Sequence, residues 1–292
     1  MEKGITITNK PEISAIYYAL LHNSYDFYSI EKDYDLINKI EEIRKVKSNF
    51  DRLFFSKVKQ NTCEVYTYWP RAFTLETATF HICKKSWTFK DFDSYKRSIM
   101  SSKNIAAKER NEDFWEWIEE FPSALQSVME SNDFKTYLKW EESWIIQQNN
   151  LLEDNLQYVQ KILDICKQRY NSPVNKLSII LNPIKCTYSS DYIKKGNELY
   201  FILGSFRSES IIHEYLHHVV HPFIPKYNKL ILSNTSTYPG IDRSYYLDGD
   251  NVGKLNAFEE YIVCKLTCDV SNMDFPLDLD DYIKESLKNL NL

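Results

Sequence analysis

Glycine is scarce in this chain: there are six in 292 residues, and none between Pro11 and Tyr170. That stretch therefore lacks the residue that tight turns favour. Long apolar runs are missing as well. No segment approaches the roughly 18 apolar residues of a spanning helix, and Met1-Glu2-Lys3-Gly4-Ile5-Thr6 has no secretion-signal core. The expectation is a cytoplasmic protein with no membrane partner. There are six cysteines, scattered and without a Cys-x-x-Cys step, which excludes a disulfide or zinc-finger framework and reads as reduced core residues. A basic excess is also lacking. Lys+Arg 36 against Asp+Glu 41 leaves a net charge of -5, so the positive field of a general nucleic-acid binder is missing and no nucleic-acid partner is expected.

What is present is globular: 43% hydrophobic and 15% aromatic residues, in a chain long enough to bury a sizeable core. From Pro11 to about Tyr170 the apolar residues recur at helical spacing. Helices are expected from Pro11 to Leu21, from Asp33 to Lys45 and from Glu112 to Glu120. The stretch Asp133 to Arg169 can hold one long helix or two. Aromatic residues here fall at helical spacing without interleaved basic residues, which points to core packing rather than base stacking.

The texture changes at Asn171-Ser172-Pro173. Residues 176–183 and 198–204 read as strands, the second following a turn at Lys195-Gly196-Asn197. Ser208-Glu209-Ser210 offers caps for a helix to Val220, stopped by Pro222. The expected fold is α+β and mostly helical: residues 1–170 an all-α region, and residues 171–292 a small sheet followed by functional helices.

The helix from Ser208 contains His213-Glu214-Tyr215-Leu216-His217, the pattern H-E-x-x-H. Histidines four apart lie one above the other, so both imidazoles reach a single zinc ion while Glu214 projects beside them as a general base. On the helical wheel Ile212, Tyr215, Leu216, Val219 and Val220 gather on one side, and His213, Glu214, His217 and His221 on the other. Random placement of six histidines gives such a pattern in about one chain in a hundred.

A catalytic zinc needs a third protein ligand. Val220 and Phe223 stand where a metzincin continuation would have glycine and histidine. His221 is one turn beyond His217, and three ligands along one straight helix spread over about 11–12 Å of axis, too far for one ion. A second helix, Lys254 to Asp269, supplies the candidates Glu259 and Glu260. The wheel buries Glu259 among Leu255, Phe258, Ile262, Val263 and Leu266, and places Glu260 about 100° away, so both remain open on the pattern alone. Cys264 and Cys268, one turn apart, are a further possible metal clip.

These motifs resemble the gluzincin branch of zinc metallopeptidases, and over residues 198–268 a group of bacterial metallopeptidase-like proteins with a helical N-terminal half. The resemblance implies a zincin-like domain with zinc held by His213, His217 and Glu260, the last matching the glutamate of an Asn-Glu-Tyr-like step. It implies peptide-bond hydrolysis with Glu214 as general base, and a peptide or protein as substrate. The chain departs from relatives in that branch: it has no G-A-M-E-N signature, and no aspartate follows either glutamate at the thermolysin-like spacing. Such sites add a donor for the developing oxyanion, and Tyr238, Tyr245 and Tyr246 between the two helices are candidates. The strand at 198–204 is expected to be an exposed edge that takes an extended peptide by strand addition. Asp248-Gly249-Asp250-Asn251 reads as a turn rather than a calcium loop. A non-catalytic zinc-containing module that binds peptides or regulates a partner is the alternative.

Overall fold

Where apolar residues recur every three or four positions the chain is helical. A computed structural model describes residues 5–24, 32–61, 64–66, 69–100, 112–174, 176–187, 190–234, 238–241 and 251–290. The first half contains α1 (Pro11–Leu21), α2 (Tyr34–Lys45), α3 (Arg52–Asn61), α4 (Phe73–Thr79), α5 (Phe92–Met100), α6 (Glu112–Ile118), α7 (Phe121–Glu130), α8 (Asn132–Leu151) and α9 (Glu153–Tyr170). Asp33 caps α2 by accepting from the Leu36 amide at 2.7 Å, as its position before an apolar-periodic run predicts. α6 ends at Ile118, short of the expected stop at Phe121-Pro122, and Phe121 is itself helical, with Pro122 in the first turn of α7. The stretch from Asp133 to Arg169 is two helices, broken at Leu152.

The first half is not all helix, and that expectation is corrected. It also holds β1 (Ile7–Thr8) and two small antiparallel pairs, β2 (Glu64–Tyr66) with β3 (Trp69–Arg71) and β4 (Ile82–Cys83) with β5 (Thr88–Phe89). The β4–β5 turn needs left-handed backbone, and Trp87 supplies it with φ 48° where glycine would be the easy choice. Asn171, with φ 50°, likewise closes the C-terminus of α9.

The main sheet has four strands in the order β1, β6 (Lys176–Leu181), β8 (Glu198–Leu203), β7 (Ser190–Lys195). β1, β6 and β8 are parallel, and β7 is antiparallel to β8 across the Lys195–Glu198 hairpin. Strand β8 is therefore central. The expectation that residues 198–204 form an exposed edge is wrong, because the intervening segment folds back as β7 and takes the outer position. At the other end the β1 edge is covered: Asn149 of α8 accepts from the Ile7 amide at 2.9 Å and donates to its carbonyl at 2.8 Å.

Alternation along the strands gives the sheet two buried faces. Ile180, Ile193 and Ile202 pack into a core with the first-half helices α1 to α8. Ile179, Leu181, Leu199, Phe201 and Leu203 pack into a second core with α9 and the later helices α10 (Ser208–Val220), α11 (Ile224–Ser233), α12 (Asn251–Ser271) and α13 (Leu279–Asn289). The cores thus divide at the sheet, and α9 sides with the C-terminal half. The fold is α+β and mostly helical, with the sheet as its middle layer. Gly204, which leads from β8 towards α10, passes so close to the preceding loop that a Cβ there would lie 2.0 Å from the Cys186 carbonyl oxygen.

Two polar centres join the first-half layer to the sheet region. In one, Lys185 is fully buried and donates to Tyr17, Glu76 and Asp191. In the other, Glu141 of α8 is fully buried and accepts from Ser14 at 2.6 Å, Tyr137 at 2.9 Å and Asn9 at 3.2 Å. Burial raises the Glu141 carboxyl to about 7, against the lowering effect of those three hydrogen bonds. The folded chain thus holds a proton that the unfolded chain releases near pH 4.5, so this group's stabilisation is complete below that pH and is lost as pH rises towards 7. Wild type is expected to lose up to about 3 kcal/mol more than Glu141→Gln between pH 4.5 and 8. Urea unfolding across that range checks the slope, and parallel curves for the two proteins would refute it.

Candidate metal centre

Helix α10 is built as its sequence pattern requires. Ile211, Ile212, Tyr215, Leu216, Val219 and Val220 are buried in the second core, and the opposite side carries His213, Glu214 and His217. The expected serine cap is absent. Arg207 holds the N-cap position in an extended conformation, and Ser208 is already the first helical residue, where its side chain no longer reaches the next amides. A single 3-10 turn, His221–Phe223, follows the helix and carries His221 just beyond its last turn.

Helix α12 packs along α10 through Ala257, Phe258, Ile262, Val263 and Leu266, all buried in the same core. That packing turns Glu259 and Glu260 towards the polar side of α10. Glu260 spans the two motif histidines: its Oε1 lies 3.2 Å from His213 Nε2 and its Oε2 lies 3.2 Å from His217 Nε2. Glu259 is buried behind them. It accepts from His217 Nδ1 at 2.9 Å through Oε1 and from His221 Nδ1 at 2.7 Å through Oε2. The structure thus brings His213, His217 and Glu260 together and places Glu259 on the far nitrogen of His217, so the wheel's inference that Glu259 is the buried carboxylate holds.

Among the described residues, His213, His217 and Glu260 form the one group of three candidate ligands with donor atoms all within 4.8 Å of one another. Two donor atoms about 2.1 Å from one tetrahedral zinc lie about 3.4 Å apart, so the 3.2 Å separations suit a shared ion. Two imidazoles and one carboxylate are also a donor set that zinc accepts with a coordination position to spare. The residues present fit the metal.

The charges respond to this crowding. Burial would raise the Glu260 carboxyl, but the contacts with His213 and His217 outweigh it and hold Glu260 well below the usual carboxylate range. Burial would lower His217, and the hydrogen bonds to Glu259 and Glu260 override it, lifting the imidazole to about 9. Glu214 behaves differently. Burial raises its carboxyl, and the nearby His217 and His213 only partly offset that.

Of the expected tyrosines, Tyr238 falls elsewhere. Tyr238 is buried, with its ring 5.6 Å from Phe258 and 5.8 Å from Tyr261, so it packs the core beside α12. Tyr245, Tyr246 and the Asp248–Asp250 part of the expected turn lie outside the described residues, and Asn251 begins α12. Cys264 and Cys268 are exposed on α12 rather than buried, and only Cys264 reaches towards the centre, with Sγ 3.7 Å from Glu260 Oε1. Sequence reasoning missed β7 as a neighbour. Tyr192 of β7 meets the His218 ring at 5.5 Å, so the outer strand of the sheet runs beside the histidine helix. Burial, followed by the charges of Lys194 and His217, lowers His218 to about 4 and keeps it neutral.

Comparison with protein-family models, with curated proteins and with solved structures finds no match to this chain.

Proposed function

We propose that this chain is a zinc-dependent metallopeptidase of the gluzincin type, with a zincin-like second half acting on peptide or protein substrates in the cytoplasm. The observation that carries the reading is the convergence of His213 and His217 of one helix with Glu260 of another, at 3.2 Å each, beside a Glu214 that pairs with neither histidine among the described contacts. His213, His217 and Glu260 would hold the metal. Zinc, when bound, polarises a carbonyl and brings the pKa of water towards neutrality. The chain's own contribution is proton handling at Glu214. A carboxyl raised by burial takes a proton from the attacking water more readily than an ordinary surface glutamate, and passes it to the leaving amine.

The outer edge of β7 is the place for an extended substrate. Among the described residues no strand pairs with that edge, and Tyr192 sets it beside α10. A peptide added there gains main-chain hydrogen bonds without displacing any strand.

The purified protein is expected to carry one zinc per chain, and His213→Ala or Glu260→Ala to lose it. Chelation is expected to abolish cleavage of a mixed peptide library, and zinc to restore it. A wild-type chain without stoichiometric zinc would overturn the reading. Zinc without cleavage would favour the non-catalytic binding module.

A further inference from the structure

Glu259 is the part of this centre that the ligand set does not use. It is almost fully buried on α12, and each of its oxygens accepts from a different histidine, His217 and His221. An imidazole binds a metal through one nitrogen only when the other carries the proton, and the group that accepts that proton fixes the tautomer and the ring's orientation. His217 offers Nε2 to the Glu260 side and Nδ1 to Glu259. His221 cannot be a ligand of the same ion for the axial reasons given by the sequence, yet its Nδ1 is held just as closely. Its side chain is 61% exposed, so burial does not explain its geometry.

We infer that Glu259 is a positioning residue for the metal, holding His217 with Nε2 towards the ion, and that His221 acts through Glu259 by fixing its second oxygen. This rests on the zinc reading above and extends it. The carboxylate on the second nitrogen of His217 comes from the residue immediately before Glu260. The geometry allows this because consecutive residues on α12 point about 100° apart, so one carboxylate meets the front of His217 and the next meets its back. A buried carboxylate with both oxygens committed has little freedom to turn, and neither does the ring it holds.

The test is the zinc dissociation constant of the full chain, measured by competition with a chromophoric chelator at one fixed pH. Glu259→Gln is expected to weaken zinc binding 10–100-fold. His221→Leu is expected to weaken it several-fold. His221→Asn, whose amide nitrogen occupies the position of Nδ1, is expected to restore wild-type affinity. Thermal melts of the metal-free proteins separate positioning from folding, since an affinity loss with an unchanged metal-free melt is the positioning signature. Should Glu259→Gln fail to fold, Glu259→Asp, which keeps the charge but draws the oxygens back from His217, takes its place in the comparison. Glu259→Gln binding within twofold of wild type overturns the inference while leaving the zinc reading intact. Equal affinities for His221→Leu and His221→Asn overturn the part played by His221. A wild-type chain that takes up no zinc overturns both readings together.

Discussion

Glu214→Gln is expected to keep one zinc per chain and to lower peptide cleavage by about 10²–10⁴-fold. The two effects separate because Glu214 is on the histidine helix but is not among the three converging donors. Glutamine has the same size and keeps the local packing, so His213, His217 and Glu260 are untouched. What is lost is a carboxylate that can accept a proton. The raised carboxyl of Glu214 comes first from its burial, which the neighbouring His217 and His213 only partly offset. A residue with that setting is suited to take up and release a proton within one cycle. Zinc analysis and initial rates on the mixed peptide library, run on both proteins, check the two halves. Equal rates would remove Glu214 from the chemistry, and loss of zinc in the variant would make it a ligand or a structural support instead.

The largest stability effect is expected at Lys185. Its ammonium donates to Asp191 at 2.7 Å, to the Tyr17 hydroxyl at 2.8 Å and to Glu76 at 2.9 Å, which accounts for all three of its protons. Burial alone would lower its pKa, but Asp191 and Glu76 outweigh that and raise it, so the lysine stays charged. Lys185→Met leaves two buried carboxyl groups without their cation. The expected cost is about 3–5 kcal/mol, or a fall of roughly 5–8 °C in Tm for a chain of this length. The triple variant Lys185→Met, Glu76→Gln, Asp191→Asn is expected to recover most of the loss, because no uncompensated charge remains. Thermal and urea unfolding of the single and triple variants check this. A single variant within 1 kcal/mol of wild type would show that the carboxylates find other partners. Because Asp191 belongs to β7, next to Tyr192 and the histidine helix, the loosened strand is also the one proposed to seat the substrate.

The parts of the molecule that sequence made legible are those that local spacing decides. Helix α10 and its three chemistry-bearing residues follow from an i, i+4 repeat, and α2 follows from an apolar stripe opened by Asp33. The division of labour between Glu259 and Glu260 does not follow from α12 alone, since it depends on how that helix is rotated against α10. Strand β7 escaped because one of its two buried residues is Asp191, satisfied by Lys185 of the preceding loop, so that only Ile193 marked an apolar face. The β4–β5 pair escaped for a related reason. A hairpin is recognised by glycine or asparagine at its turn, and here the turn residue is Trp87. Scarcity of glycine thus indicated helix correctly over most of the first half and hid the places where another residue adopts the left-handed conformation.

The placement of β1 has a consequence for the order in which the molecule forms. Ile7 pairs with Ile179, so the first strand emerges from synthesis long before its neighbour β6 exists. Closing a loop of that length carries a chain-entropy cost of about 4–5 kcal/mol in its length-dependent part. Helix α8 shortens the wait. Asn149 holds both the amide and the carbonyl of Ile7 with its side chain, and α8 is complete some 25 residues of synthesis before β6 begins. The amide that guards the finished sheet edge is therefore made before β6, the strand's other partner. The sheet, and with it the support beneath the histidine helix, is complete only once β8 has been made.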